Sequence, residues 1–206
     1  KNKNAIAEVV KNHPLCVLVT RQKNGGKGKA LADGVKKADE LGLTHVLQID
    51  SDGQHDAERV GHFVEVSKKK PEAIICAYPE YDESAPKHRV NGRTIANAWI
   101  HTVTLSKQIK DGMIGFRIYP VAPYVKLLNS HVIIDARMGY DIDILVRLFW
   151  KNVPVICESV KVTYPVDGVS NFRLVRDNAR ISLTYARLFF GLFVRLPILI
   201  FRKING

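Results

Sequence analysis

From Leu15 to Tyr78, short continuous apolar runs alternate with stretches of helical spacing. Leu15–Thr20, His45–Ile49 and Ala73–Tyr78 read as buried strands, because apolar residues follow one another without an intervening polar face. Between the first two, Lys29–Leu41 repeats Leu31, Val35 and Ala38 at helical spacing and stops at Gly42. Asp56 is placed to cap a second helix that reaches about Lys69. Strands joined through helices call for right-handed crossovers and a mostly parallel sheet with helices on its faces.

The later elements follow the same pattern. Asn91–Lys107 and Asp141–Lys151 read as helices, the second with Ile142, Leu145, Val146 and Phe149 on one side. Phe116–Tyr119 and Pro154–Val162 read as strands, and Lys1–Lys11 as the end of a helix. Glu80–Arg93 is polar, contains Pro86 and is expected to be a mobile loop. The expected organisation is an α/β domain over residues 1–168 and a basic apolar tail over 169–206. The chain starts at Lys1 with no signal-like segment, which suggests a processed or incomplete copy of a longer protein.

Composition narrows the chemistry. With 46% hydrophobic and 25% charged residues, the chain can bury a core and does not have the make-up of a disordered protein. Cys16, Cys76 and Cys157 are odd in number and far apart, which argues against a disulfide framework or a zinc site. They are expected to be buried thiols in a reducing compartment. The net charge of +11 asks for a partner with phosphate groups: nucleic acid, nucleotide or anionic lipid.

The sharpest motif is Asp50-Ser51-Asp52, at the carboxyl end of a strand. Ligands of open α/β sheets bind beyond such ends. Two carboxylates one residue apart can share a hard cation, Mg²⁺ or Mn²⁺, that also takes diphosphate oxygens. A turn with acidic caps is the plainer account of the same residues. The loop Asn24-Gly25-Gly26-Lys27-Gly28 follows a strand and opens a helix, so its backbone N–H groups can face phosphate. It does not fit a P-loop, since Ala30 follows Gly28-Lys29, nor a dinucleotide fingerprint, since Leu31 stands where Gly or Ala is needed. In Asp111-Gly112-Met113-Ile114-Gly115-Phe116-Arg117, Asp111 is placed to accept a proton from a hydroxyl and Arg117 to grip phosphate. Asp141 and Asp143 open a helix, where capping competes with catalysis as their purpose.

Taken together, these segments resemble the family-2 glycosyltransferases, in the branch that includes dolichol-phosphate mannose synthase. The resemblance rests on the Asn24–Gly28 loop, on "ALADGVKKADELGLTHVLQIDSDGQHD", on "DGMIGFRIYP" and on "GYDIDILVRLFWKNVPVICESVKVTYP", and spans about Leu15 to Pro165. It implies a GT-A-type fold and a nucleotide-sugar donor. Asp50 and Asp52 would then hold the metal and the donor diphosphate, with Asn24, Gly25, Lys27, Gln54 and Arg117 at the donor. Asp111, Asp141 and Asp143 become catalytic candidates, and Arg89 and Arg93 members of a mobile acceptor loop. His55 and His88 are expected to be ordinary loop residues. The family usually begins with a strand and an acidic second strand that hold the base; neither precedes Leu15, so the sequence is expected to be short at its start.

From Ser170 onward, Arg173, Arg176, Arg180, Arg187, Arg195, Arg202 and Lys203 face a single anion, Asp177, within the most apolar part of the chain. Leu188–Phe201, interrupted by Arg195 and Pro197, is too short to span a bilayer. It suits an amphipathic helix lying on an anionic membrane, or else one packed on the domain or on a second copy in a homo-oligomer. The expected protein is a peripheral enzyme on the cytoplasmic membrane face, in cell-envelope chemistry, acting on a lipid-linked or membrane-bound hydroxyl or phosphate. Two other accounts stay open: a non-catalytic accessory or remnant member of the family, and a basic nucleic-acid-binding protein. Cations set among Phe189, Phe190 and Phe193 suit a membrane better than a duplex groove, so no nucleic-acid partner is expected. A phosphatase with a D-x-D-G-Thr motif is disfavoured by Gln54.

Overall fold

The computed structural model describes residues 7, 8, 10–50, 54–81, 85, 87–162 and 174–205. Its elements, in chain order, are α1 (Lys27–Glu40), β1 (His45–Gln48), α2 (Val60–Lys69), β2 (Ile74–Tyr81), α3 (Lys87–Thr104), β3 (Arg117–Pro120), α4 (Val121–Leu128), α5 (Tyr140–Trp150), β4 (Val155–Val162) and α6 (Leu174–Asn205). A short 3₁₀ turn, Ala57–Arg59, leads into α2, and the Asp56 carboxylate accepts the Glu58 N–H at 2.9 Å to cap it.

The four strands form one sheet in the order β1–β3–β2–β4. β2 and β4 run parallel from Ile74↔Val155 to Tyr81↔Val162. β3 pairs antiparallel with β1 (Gln48↔Arg117) and with β2 (Cys76↔Arg117). Three strands therefore share one direction and β3 is inserted against them. This is an α/β fold with its sheet flanked by helices. The centre is dry: Ile74, Ile75, Cys76 and Ala77 of β2 are wholly buried. In α5 every residue except Arg147 and Phe149 is buried, so this helix runs through the interior. α3, α5 and α6 pack on one another, while α1 rests on α4 and β1. On α2, Phe63 stacks on Phe116 with ring centroids 4.4 Å apart.

Several expectations are corrected. Leu15–Thr20 is not a buried strand: it carries no ladder, and Leu15, Val17, Leu18 and Val19 are exposed. An apolar run becomes a strand only when a neighbour satisfies its backbone groups, and among the described residues none pairs with it. Glu80–Arg93 is not one loop, since β2 continues to Tyr81 and α3 starts at Lys87. The helix Val121–Leu128 was not foreseen. Pro120 and Pro123 mask its periodicity, but prolines are tolerated before and within a first turn, where N–H groups have no intrahelical partner. Of the thiols only Cys76 is buried; Cys16 is exposed and Cys157 is half-buried.

The tail forms one continuous helix of 32 residues with Pro197 inside it. Ile181, Tyr185, Leu188, Leu192 and Leu199 join the same core as the sheet. On its other side Leu183, Phe190, Phe193, Val194, Phe201 and Ile204 are exposed. By length and composition alone Val175–Ile204 could cross a bilayer, which the shorter run Leu188–Phe201 does not suggest. Residues 163–173, where tail and domain join and where Arg173 lies, are outside the described residues.

Candidate active site

β1 ends at Gln48, and the chain then delivers Asp50 to the edge of the sheet. Lys27, in the first turn of α1, reaches across to it. The Lys27 Nζ lies 2.6 Å from Asp50 Oδ1 and 2.9 Å from Asp141 Oδ2. Gln48 completes the group by donating from Nε2 to Asp141 Oδ1 at 2.8 Å. Lys27, Asp50 and Asp141, far apart in sequence, thus form one cluster of a cation between two carboxylates. Burial alone would lower the Lys27 pKa, but Asp141 and Asp50 outweigh it and the net shift is upward.

Glycines make the approach possible. A Cβ at Gly28 would strike the Tyr140 ring, and one at Gly115 would strike the Asp50 carboxylate. Gly26 has φ +88° and sits against the Ala136 carbonyl, to which Gly28 N donates at 3.0 Å. Asn24 turns the loop by accepting the Gly26 N–H at 2.9 Å. The Gly-rich loop is therefore a tightly packed seat for Lys27, and Asn24 and Gly25 shape that seat.

Arg117 does not serve as expected. It is wholly buried and donates to the Asp141 carbonyl at 2.7 Å and the Tyr119 hydroxyl at 3.0 Å. Its burial opposes its charge, yet Tyr119, Cys76 and Asp141 hold its pKa well above the usual value. It supports the start of α5 from beneath, closed off from solvent.

The second group centres on Asp111, also fully buried. Its Oδ1 accepts the N–H groups of Met113 and Ile114, each at 2.8 Å, and its Oδ2 lies 2.6 Å from Arg93 Nε. Arg93 also donates to the Tyr81 hydroxyl at 3.0 Å. A cavity of about 130 Å³ opens here, lined by Tyr78, Tyr81, Arg93, Asn97, Lys110 and Asp111. Lys110 holds its ammonium 4.1 Å from the centre of the Tyr78 ring. The run Asp111–Gly115 connects this cavity to Asp50, a reach of at most about 14 Å of extended chain.

Other candidates fall outside both groups. Asp143 accepts the Asp135 N–H at 2.8 Å and pairs with Arg147 on its own helix. It is a structural anchor, with a pKa raised because desolvation outweighs Arg147. Gln54 is half-buried, and His55, beside it, bridges to Val162 at the end of β4. Arg89 and His88 fall in the first turn of α3, but their side chains lie outside the described residues. Arg93 is on α3 and not on a loop. Asp52 lies outside the described residues. Sequence reasoning missed Gln48, whose only signal is a polar residue closing an apolar strand, and Gly115, whose role depends on an approach the sequence does not display. It also missed Asp135, which pairs with Arg187 of α6 at 3.4 Å.

The Asp50 and Asp141 carboxylates are hard oxygen donors of the kind that Mg²⁺ and Mn²⁺ take. Among the described residues no three Asp, Glu, His or Cys side chains converge. However, Lys27 already stands as a cation between two hard carboxylates, and one of these, Asp50, is 30% exposed.

The α/β sheet flanked by helices matches the GT-A fold of the glycosyltransferases. The chain belongs to glycosyl transferase family 2, whose model matches residues 2–144. Its fold is similar to that of glucosyl-3-phosphoglycerate synthase from Mycobacterium tuberculosis. The complex with uridine diphosphate aligns at TM-score 0.57 and 14% identity, covering 84% of this chain and 56% of that one. The complex with Mn²⁺ and UDP-glucose aligns at TM-score 0.53 and 14% identity, covering 87% and 56%. A third, which also holds glycerol 3-phosphate, aligns at TM-score 0.53 and 13% identity with the same coverage. The chain thus spans little more than half the length of these enzymes. No protein of curated function matches its sequence.

Proposed function

We propose that the protein is a metal-dependent glycosyltransferase that moves a sugar from a nucleotide-sugar donor to a lipid-linked or membrane-bound hydroxyl or phosphate. The observation that carries this reading is the Lys27–Asp50–Asp141 cluster beyond the strand end, linked through Asp111–Gly115 to a cationic cavity. Asp50, with Asp52 beside it in sequence, would hold Mg²⁺ or Mn²⁺, and the bound metal would neutralise charge on the departing nucleoside diphosphate. Lys27 is placed to pass from the two carboxylates to the donor phosphates. Arg117 and Gln48 keep Asp141 in position while this exchange occurs.

At the other cavity, Arg93 and Lys110 attract an anionic acceptor. An acceptor phosphate that engages Arg93 frees Asp111 Oδ2, which can then take a proton from an attacking hydroxyl. A lipid acceptor is favoured by the groove between α3 and α6, about 490 Å³ in volume and lined by Ile95, Trp99, Ile181, Tyr185, Phe189 and Phe190. α3 is common to both: it gives Arg93 and Asn97 to the polar cavity and Ile95 and Trp99 to the apolar groove. The exposed apolar side of α6 and its arginines suit a peripheral position on an anionic membrane at the cytoplasmic face.

The test is turnover of UDP-, GDP- and dTDP-sugars by the full-length gene product with membranes, with and without Mg²⁺ or Mn²⁺. Metal-dependent release of one nucleoside diphosphate, abolished by Asp52→Ala, is expected. Unchanged transfer in Asp52→Ala removes the metal assignment. Vesicle binding without any turnover replaces the enzyme with an accessory protein.

A further inference from the structure

Cys76 and Cys157, far apart in the sequence, are direct partners in the parallel ladder of β2 and β4. Paired positions on neighbouring strands lie about 4.8 Å apart, within the span of about 4.4–6.8 Å between Cα atoms that a disulfide bridges. Both side chains point to the same side, since both sulfurs contact the segment before Ile114. Cys157 Sγ donates to the Gln108 carbonyl at 3.3 Å and accepts the Lys110 N–H at 3.5 Å. Cys76 Sγ donates to the Asp111 carbonyl at 3.5 Å. Cys76 is wholly buried, whereas Cys157 is half-buried.

We propose that Cys157 is a modification site: an oxidant-sensitive nucleophile that closes an intramolecular disulfide with Cys76 when the protein meets a hydroperoxide. The local chemistry assigns the two roles. Hydrogen bonding from Cys76, the Lys110 N–H and the nearby Lys110 and Arg117 charges favour the Cys157 thiolate over burial, and its pKa falls to about 7. Contact with Cys157 and burial push the Cys76 thiol upward, so it stays protonated. The Cys157 thiolate attacks the peroxide: an S–O bond forms, the O–O bond breaks, and the departing hydroxide (or alkoxide) takes up a proton. Cys76 sulfur then attacks the sulfenic sulfur of Cys157. The S–S bond forms, the S–O bond breaks, and hydroxide leaves as water with the Cys76 proton. Overall, two thiols are oxidised and one peroxide is reduced.

The sulfurs grip the backbone of Gln108–Asp111, so closing the bridge is expected to shift Asp111. That consequence rests on the acceptor-site reading, whereas the thiol chemistry does not.

The experiment treats the full chain with hydrogen peroxide near neutral pH, blocks remaining thiols and maps peptides without reduction. The expected product joins the Cys76 and Cys157 peptides, lacks two hydrogens and leaves the exposed Cys16 open to alkylation. In Cys76→Ser, Cys157 should be trapped as a sulfenic acid that dimedone captures. In Cys157→Ser, Cys76 should stay reduced; this half-buried substitution keeps the test valid if the core variant fails to fold. Cys157 remaining as alkylatable after peroxide as before, or a bridge formed through Cys16 instead, overturns the proposal. Because these readouts are chemical, they stand or fall separately from glycosyl transfer.

Discussion

Asp141 and Asp143 stand two residues apart at the start of α5, yet they belong to opposite kinds of site. Asp141 shares a lysine with Asp50, and that lysine is about one-third exposed. Asp143 is closed off: one oxygen takes a backbone N–H, the other pairs with Arg147, and its carboxylate is almost without exposure. Residues two apart on a helix do not share a face. One face of α5 therefore meets α1 and β1, and the other meets the loop through which Asp135 fastens α6 by way of Arg187. Both acids are buried, and what separates them is the partner: Asp141 shares a part-exposed lysine with Asp50, whereas Asp143 is held by Arg147 and a backbone N–H.

The comparison is broken most severely at the closed site. Asp143→Ala would leave Arg147 without its carboxylate and the Asp135 N–H without an acceptor. Removing one partner of a buried pair costs about 3–5 kcal/mol, which urea denaturation would detect. A loss under about 1 kcal/mol would mean that Asp143 is not an anchor. At the open site the order of effects reverses. Asp50→Asn should lower sugar transfer by about 100-fold or more, a loss typical of removing one key electrostatic contact, while leaving the urea midpoint nearly unchanged. Equal damage to stability and turnover would erase the distinction between the two acids.

A smaller effect separates the seat from the chemistry. Gly28 lets α1 approach the Tyr140 ring, and that ring is held by a 2.8 Å hydrogen bond between the Tyr140 and Tyr124 hydroxyls. Gly28→Ala should therefore cost about 1–3 kcal/mol by overpacking and also weaken turnover, because Lys27 moves with α1. A variant with lower stability but full kcat/KM would show that the position of Lys27 is not needed.

The sequence made some of this legible and concealed the rest for physical reasons. The α1, β1, β2 and β4 elements follow from apolar periodicity and their boundaries, because those signals are local. Lys27, Asp50 and Asp141 were each identifiable as chemistry-bearing residues, but their meeting depends on the sheet order and on Gly28 and Gly115. Arg117 reads as a phosphate ligand because a guanidinium can grip phosphate bidentately. Its place at Gln48↔Arg117, between β1 and β2, buries it instead. Leu15–Thr20 failed in the other direction: hydrophobicity can nominate a strand but cannot supply the neighbour that makes it one.

The smallest effects are those of pH, and they distinguish the two clusters by window and not by sign. Lys27 has a folded-state pKa above 10.5, so its contribution is complete below 10.5 and is lost as pH rises through the folded value. Asp143 has a folded-state pKa above 3.8, so folding favours its protonated form. Its contribution is complete below 3.8 and falls away as pH rises through its own folded value. Both groups therefore make stability decline with rising pH, one just above the ordinary carboxyl range and the other at the alkaline end. Urea midpoints measured across the full pH range, compared with wild type, should lose the alkaline decline in Lys27→Gln and the acid one in Asp143→Asn. An unchanged alkaline slope in Lys27→Gln would mean that Asp50 and Asp141 do not hold the lysine. The open cluster would then owe its arrangement to the glycines, Gln48 and Arg117.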